Sequence, residues 1–584
     1  MTTTTSSQAH PKKFNLKQYL PVLVWGKNYQ RAWLSGDLLA GLIVAIMLVP
    51  QGMAYALLAG LPPQVGLYAS ILPLFIYGLM GTSRALAVGP VAIVSLLVAA
   101  GVGDLAGADM TLYVQLALTL ALLVGIIQAL MGLFKVGFLV NFLSHPVLAG
   151  FTSAAALVIG FSQLKHLMGI NIPRTDFIET VQNAIRHSPE TNLVTLAIGV
   201  VSIAILVYFK FVLGKQLKNS RLPNNLAIPI SKSGPLIIVV LGTAVVILAG
   251  LAEKFGVKVV GDVPAGLPPL TLPVMDTAVW LDLFPIALTI AFVGFMESIS
   301  VAKSLASKKR QKVEADQELI ALGAANLGSA FTGGYPVTGG FSRSVVNFEA
   351  GANTGLASII TAVLIALTVI FLTPLFQFLP RAVLAAIIMV AVFGLIDLKT
   401  LRFVWKYNKA DAVSMIITFL AVLIAGIEKG ILVGVAASLL LFIWRTSRPH
   451  VAVVGRLANS EIYRNVLRHD VETCAKAIAI RIDQSLYFAN AKYLEDTVLG
   501  YVADHPEIEH FILIGTAVNF IDASALETLE SLHRELSDAG VIFHLTAIKG
   551  PVMDRLKKVG FIDHFGADHI HETTFDAMKA IGCA

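Results

Sequence analysis

The chain has 584 residues, 56% of them hydrophobic and only 14% charged, and its mean hydropathy is +0.77. Soluble domains carry about 25% charged residues, so an ordinary soluble enzyme, a disordered chain and a fibrous repeat are excluded; a polytopic membrane protein with room for a further domain remains. The net charge of +6 is unevenly placed, because residues 1–450 carry +13 and residues 451–584 carry −7.

Nine of the 13 histidines lie at or after His450. A long apolar, basic part is thus followed by an acidic part of soluble composition. The surplus positive charge sits in short loops between apolar stretches, which membrane topology explains better than nucleic-acid binding. Both cysteines, Cys474 and Cys583, fall in the acidic part. They suggest neither a disulfide framework nor a metal cluster, in keeping with a reducing cytosol.

Residues 1–36 hold Lys12, Lys13, Lys17, Lys27 and Arg31, interrupted by Pro11 and Pro21. They read as a cytoplasmic N-terminal segment. The apolar run from Leu38 is too long for a signal peptide and is followed by many more. Fourteen membrane segments are expected, at 37–58, 66–80, 88–102, 110–134, 142–162, 192–212, 234–252, 279–303, 317–332, 341–349, 354–377, 381–398, 409–426 and 428–447. With a cytoplasmic N-terminus, the inner loops carry 23 Lys and Arg and the outer loops seven. That bias is what the positive-inside rule expects, and it places the C-terminal part in the cytoplasm. The boundaries follow as 1–36, a transmembrane domain at 37–448 and a cytoplasmic domain at 449–584.

Segment one carries Val49-Pro50-Gln51-Gly52-Met53-Ala54-Tyr55. Pro50 bends or opens the helix locally. Gln51 and Tyr55 are four apart and share a face, suited either to a polar ligand or to interhelical hydrogen bonds. Segments three and ten are among the shortest, and a ~30 Å hydrocarbon core needs about 20 helical residues. Segment three opens with Ala87-Val88-Gly89-Pro90-Val91-Ala92; segment ten opens with Gly333-Gly334-Tyr335-Pro336-Val337-Thr338-Gly339-Gly340-Phe341-Ser342-Arg343. Such backbone cannot face lipid and is tolerated where it lines an enclosed cavity. Interrupted segments seven apart point to two inverted halves with a binding site at mid-membrane. The half-helix starts at Val91, Ala92, Phe341 and Ser342 would aim free N–H groups and positive dipole ends into that cavity, favouring an anion.

Arg343 lies in the first turn of segment ten, where its fork of donors suits an oxyanion; the alternative is a guanidinium that snorkels to an interface. Glu297 lies well inside segment eight and must pair, bind a cation or take a proton. If it faces Arg343, its protonation frees Arg343 for substrate and couples proton to anion; the alternative is a static ion pair. Lys303, six residues on, snorkels to the cytoplasmic surface.

In the acidic part, Ala477–Ile482, His510–Ile514 and Val541–Thr546 are strand-like, and Ser524–Leu536 is helical in pattern. Strands alternating with helices indicate an α/β domain with a mainly parallel or mixed sheet. Asp522 or Ser524 can cap the helix.

The runs Gln51-Gly52-Met53-Ala54-Tyr55-Ala56, Gly60-Leu61-Pro62-Pro63, Gly66-Leu67-Tyr68, Gly81-Thr82-Ser83-Arg84 and Gly89-Pro90, taken in order with Gly333 to Ser344, resemble the SulP/SLC26 sulfate-permease family. The likeness runs from about residue 33 to the C-terminus. It implies a polytopic α-helical membrane domain of 14 segments in a 7+7 inverted repeat (UraA-like), plus a cytoplasmic α/β STAS domain. It also implies core helices 1–4 and 8–11 moving against gate helices 5–7 and 12–14, a homodimer, and an anion between the N-termini of helices 3 and 10. On the same resemblance Gln51, Tyr55, Glu297, Ser342 and Arg343 match positions that contact or couple to substrate. Sodium-coupled bicarbonate members have Asp and a hydroxyl residue where this chain has Glu297 and Val301, which favours protons or exchange.

Ser524 matches the serine phosphorylated in bacterial anti-sigma-factor antagonists, where a phosphate at a helix N-terminus is electrostatically welcome; the alternative is a plain capping serine. The expected function is secondary active, proton-coupled sulfate uptake by elevator-type alternating access, in the inner (plasma) membrane, with lipid as surroundings. The alternatives are a bicarbonate or dicarboxylate carrier, an anion exchanger, or an anion-sensing signalling protein. No catalytic residue, cofactor or metal is expected.

Overall fold

Peptide groups buried in hydrocarbon must be paired within the protein, and each apolar run accordingly folds as a helix. The computed structural model describes residues 19–107, 109–138, 144–172, 176–218 and 224–583. Pro11, Lys12, Lys13, Lys17, Arg174 and Arg221, and the first two residues of the span at 142–162, lie outside the described residues. The chain forms two compact units, Met1–Ser438 and Leu439–Ala584.

All fourteen expected segments carry a helix. They are α1 (Leu34–Leu58), α2 (Leu72–Met80), α3 (Ala92–Ala106), α4 (Met110–Leu133), α5 (His145–Ser162), α6 (Leu193–Val207), α7 (Gly234–Ala249), α8 (Thr277–Lys308), α9 (Ala315–Phe331), α10 (Phe341–Glu349), α11 (Leu356–Phe371), α12 (Arg381–Val392), α13 (Lys409–Ala425) and α14 (Ile427–Ser447). Segment two is broken, with a separate short helix at Pro63–Tyr68 before α2. Pro50 does not open α1, which stays helical through it. Among the described residues, eight helices are long and apolar enough to cross a membrane. Helices α3 and α10 are not among these eight, having 15 and nine residues. Each is preceded by a two-residue strand, β1 (Val88–Gly89) and β2 (Thr338–Gly339), and the two strands pair antiparallel.

Two buried carboxylates, neither of them in a salt bridge among the described residues, hold loops in this unit. Asp37 of α1 accepts from the Asn353 N–H at 2.6 Å, the Thr354 N–H at 3.1 Å and the Thr354 hydroxyl at 2.7 Å, pinning the turn before α11. Glu318 of α9 accepts from the Tyr77 hydroxyl at 2.7 Å, from the Thr82 N–H and hydroxyl at 2.7 and 2.6 Å, and from the Ser83 N–H at 3.1 Å. That fixes the turn leading to β1. Charged acceptors with several donors satisfy the requirement that buried polar groups be paired.

The second unit contains a six-stranded sheet of order β4-β3-β5-β6-β7-β8. Its strands are β3 (Val451–Arg456), β4 (Tyr463–Asn465), β5 (Ala477–Ile482), β6 (His510–Ile514), β7 (Ile542–Thr546) and β8 (Ile570–His571). β5 to β8 run parallel, and β3 pairs antiparallel with both β4 and β5. The mixed sheet and all three expected strands are present. The expected helix is α16 (Ala523–Asp538), which follows α15 (Ala491–Asp504); α17 (Gly550–Lys558), a short helix at Phe561–Phe565 and α18 (Thr574–Ala580) come after it. Of the two candidate caps, Asp522 is the one that accepts from a first-turn N–H, that of Ala525 at 2.9 Å.

One expectation fails here. Cys474 and Cys583, read as suggesting no disulfide, are bonded to each other across a sequence separation of 109. The tertiary fold supplies the reason. Cys474 forms a bridge with Ala477 at the start of β5, and Ala577 and Met578 of α18 pack on the same apolar patch as Ala477 and Ala479. That packing delivers the end of the chain to Cys474.

Replacing Glu318 by alanine leaves the Tyr77, Thr82 and Ser83 donors without that acceptor. The expected cost is about 3 kcal/mol of stability, against about 1 kcal/mol for Thr82→Ala, which removes one donor of several. Thermal unfolding of the detergent-purified protein reads both; equal Tm values for the two variants would refute this role for Glu318.

Candidate functional site

The two interrupted segments are built as one object. Val88 pairs with Gly339 and Gly89 with Thr338. Flanking bonds extend the tie: the Gly340 N–H donates to the Ala87 carbonyl at 3.1 Å. The Ala87 N–H donates to the Ser344 hydroxyl at 2.9 Å, and the Asn347 amide to the Ala85 carbonyl at 3.0 Å. The pleated pair thus sets the starts of α3 and α10 side by side.

Neither start is capped by a side chain. Val91 and Gly340 occupy the capping positions of α3 and α10 and offer no side-chain acceptor. By contrast α4, α6, α8 and α13 are capped by Asp109, Asn192, Asp276 and Asn408. First-turn N–H groups have no partner within their own helix. Those of α3 and α10 are therefore left for whatever occupies the space in front of them.

That space is a cavity of about 430 Å³. It is lined by all eight residues expected to bind or couple to an anion: Gln51, Tyr55, Val91, Ala92, Glu297, Phe341, Ser342 and Arg343. Gln51 and Tyr55 come from the buried face of α1, as their spacing requires. Phe341 and Ser342 are exposed, whereas Arg343 is 2% exposed.

Arg343 does not snorkel. Its Nη1 donates to the Pro90 carbonyl at 2.6 Å, joining residues 253 apart in sequence. The guanidinium lies against its own helix start. A Cβ on Gly340 would stand 2.8 Å from Nη2 and 2.9 Å from Cζ, so glycine there makes the room. Nε and Nη2 have no hydrogen-bond partner in the protein, and neither does Oε2 of Glu297. Among the described residues Arg343 and Glu297 form no salt bridge with each other or with any other side chain. The alternative of a static ion pair is therefore not the observed arrangement. A buried cation with two unused donors beside a carboxylate with an unused acceptor can hold an anion on one and a proton on the other.

Two lysines on the cavity wall escaped the sequence reading. Lys210 and Lys232 line it, with Lys210 donating to the Val390 carbonyl at 2.9 Å and Lys232 lying 4.0 Å from Glu349. Lys210 lies near the end of the span at 192–212 and Lys232 just before the span at 234–252, positions that give no sign of which wall they face. Lys303 is exposed, in line with its expected reach to the surface. Ser524 belongs to the second unit, where it is exposed in the first turn of α16.

Comparison with known proteins bears on the whole chain. The model of the Sulfate permease family matches residues 34–418, and that of the STAS domain matches residues 468–577. Probable sulfate transporter 4.2 of Arabidopsis thaliana is 37% identical over 572 residues, covering 96% of this chain and 83% of that protein. Sulfate transporter 4.1, chloroplastic, of the same plant is 38% identical over 574 residues, with coverages of 96% and 82%. Among solved structures, the murine Solute Carrier 26 family member A9 anion transporter in the inward-facing state superposes with a TM-score of 0.90 at 27% identity. That match covers 99% of this chain and 97% of the murine one.

Proposed function

The chain belongs to the sulfate permease family, with fourteen membrane segments in a 7+7 inverted repeat followed by a STAS domain, and on that premise we propose that it is a secondary active oxyanion transporter that takes up sulfate with protons. The observation that carries the proposal is the cavity in which two uncapped helix starts and the free donors of Arg343 converge. The sulfate transporters among its relatives support the choice of substrate.

Charge arithmetic supports the coupling ion. Each helix start presents roughly half a positive charge, and Arg343 adds one, giving together about +2 at the helix starts, apart from Lys210 and Lys232 elsewhere on the cavity wall. That balances the dianion sulfate when Glu297 is neutral and leaves one negative charge in excess when it is ionised. Sulfate binding therefore favours a protonated Glu297, and loss of that proton expels the anion. The binding residues in this reading are Gln51, Tyr55, Val91, Ala92, Phe341, Ser342 and Arg343, with Glu297 as the coupling residue.

The cavity is lined by residues of α1, α3, α8 and α10 and by Leu206 of α6, Pro235 of α7 and Ile387 and Val390 of α12. A site at the junction of two helix sets supports an elevator in which core helices 1–4 and 8–11 carry the anion past gate helices 5–7 and 12–14. The same reading takes the working form as a homodimer in the plasma membrane, with both termini and the domain at 449–584 cytoplasmic.

Uptake of radiolabelled sulfate into proteoliposomes, with and without an inward proton gradient, tests the function. Gradient-stimulated uptake supports it. Uptake of bicarbonate, succinate or chloride in place of sulfate would replace the substrate. Arg343→Ala removes a buried charged donor worth about 1.5–3 kcal/mol, so sulfate uptake should fall about tenfold to a hundredfold with the protein still assembled. Near-normal uptake would remove Arg343 from the site. Glu297→Gln fixes the neutral form; uptake should persist at low pH but lose its stimulation by acid, and an unchanged pH profile would assign coupling elsewhere.

A further inference from the structure

The approach to α10 is non-helical, so each of its peptide groups needs a partner from elsewhere in the protein. Those partners come mostly from side chains. The Ser329 hydroxyl donates to the Tyr335 carbonyl at 2.7 Å, and the Gly334 N–H donates to the Ser329 carbonyl at 2.9 Å. The Gly339 N–H donates to the Ser298 hydroxyl at 2.8 Å, while the Thr338 hydroxyl, donating to the Gly294 carbonyl, ties the same strand to α8. At the centre stands Val337, both of whose backbone groups are taken by one residue. Its N–H donates to Oδ1 of Asn326 at 2.8 Å, and its carbonyl accepts from Nδ2 of Asn326 at 3.0 Å. The amide thus replaces the neighbouring strand that β2 lacks at this position.

Asn326 is fully buried on α9. Its Nδ2 also faces Oε1 of Gln128 on α4 at 3.0 Å, and Gln128 donates in turn to the Ala291 carbonyl of α8 at 3.1 Å. One amide pair therefore meets α4, α8, α9 and the approach to α10. Close backbone contact makes this possible. A Cβ on Gly125 would lie 2.8 Å from the Leu327 nitrogen, and one on Gly323 would lie 2.6 Å from the Ala129 nitrogen. Gln128 and Asn326 each follow one of these glycines by three residues, so the near-touching helices present the two amides to each other.

We propose that Asn326, supported by Gln128, is a positioning residue for the anion site: it fixes the register of Val337, and through β2 the place of the α10 start and of Arg343. Neither amide lines the cavity, so the action is through the backbone. The proposal rests on the transport reading for its kinetic test and is independent of it for its structural test.

The test uses the full chain, purified and reconstituted, as wild type, Asn326→Ala, Gln128→Ala and the double variant. The first readout is the sulfate KM and Vmax of uptake; the second is backbone amide hydrogen exchange over residues 337–343, which needs no substrate. Asn326→Ala should raise KM about tenfold or more, the factor carried by one buried hydrogen bond, and speed exchange over 337–343 while the acid stimulation of uptake is retained. Gln128→Ala should do both to a smaller extent, and the double variant should match Asn326→Ala because the two act as a unit. Unchanged KM and unchanged exchange over 337–343, with only Vmax or Tm reduced, would overturn the proposal and leave a packing role. If Asn326→Ala does not fold, Gln128→Ala decides by the same two readouts. Faster exchange in Asn326→Ala, from a wild type that takes up no sulfate, would sink the substrate reading while sustaining the positioning role.

Discussion

An unpaired peptide group in hydrocarbon costs several kcal/mol, and that cost governs how this membrane unit can hold a site at all. A helix that starts in mid-membrane must pair the backbone before its first turn. Here two such helices solve the problem for each other: β1 and β2 form a short antiparallel ladder, and Ala87, Gly340, Ser344 and Asn347 extend it. What the ladder does not satisfy is the first turn of α3 and of α10. Residues of both first turns line the cavity.

The same constraint explains the polar residues buried around the site. Asp37 and Glu318 gather donors from turns that would otherwise be unpaired, while Asn326 and Ser329 supply partners to the approach of α10. Arg343 is the exception. One of its nitrogens is spent on the Pro90 carbonyl, and two remain free at 2% exposure. A guanidinium left in that condition is costly unless an anion completes it.

Much of this was legible in the sequence, for physical reasons that can be named. Hydrophobic runs bounded by Lys and Arg mark spans because lipid admits little else, and all fourteen expected segments carry a helix. Gly and Pro clusters at segments three and ten stood out because such backbone is tolerated only around a cavity. Gln51 and Tyr55, four apart, share the cavity wall as helical spacing demands. The strands at Ala477–Ile482 and His510–Ile514 match residue for residue, since short Ile-rich apolar runs between turns are a local signal. Long-range matters were hidden. The Cys474–Cys583 bond depends on α18 folding back beside β5. The turn of Lys210 and Lys232 toward the cavity depends on how α6 and α7 pack. Asn326 looks like any polar residue in an apolar helix until Val337 is brought beside it.

The central claim is that an oxyanion is held between the starts of α3 and α10 by Arg343. A crystal structure of the protein grown with selenate, a sulfate analogue with an anomalous signal, tests it most directly. The account predicts an anomalous peak within hydrogen-bonding distance of the Arg343 guanidinium and of backbone N–H groups in the first turns of both helices. A peak held elsewhere in the membrane unit, or none at these helix starts in protein that transports selenate, would contradict it.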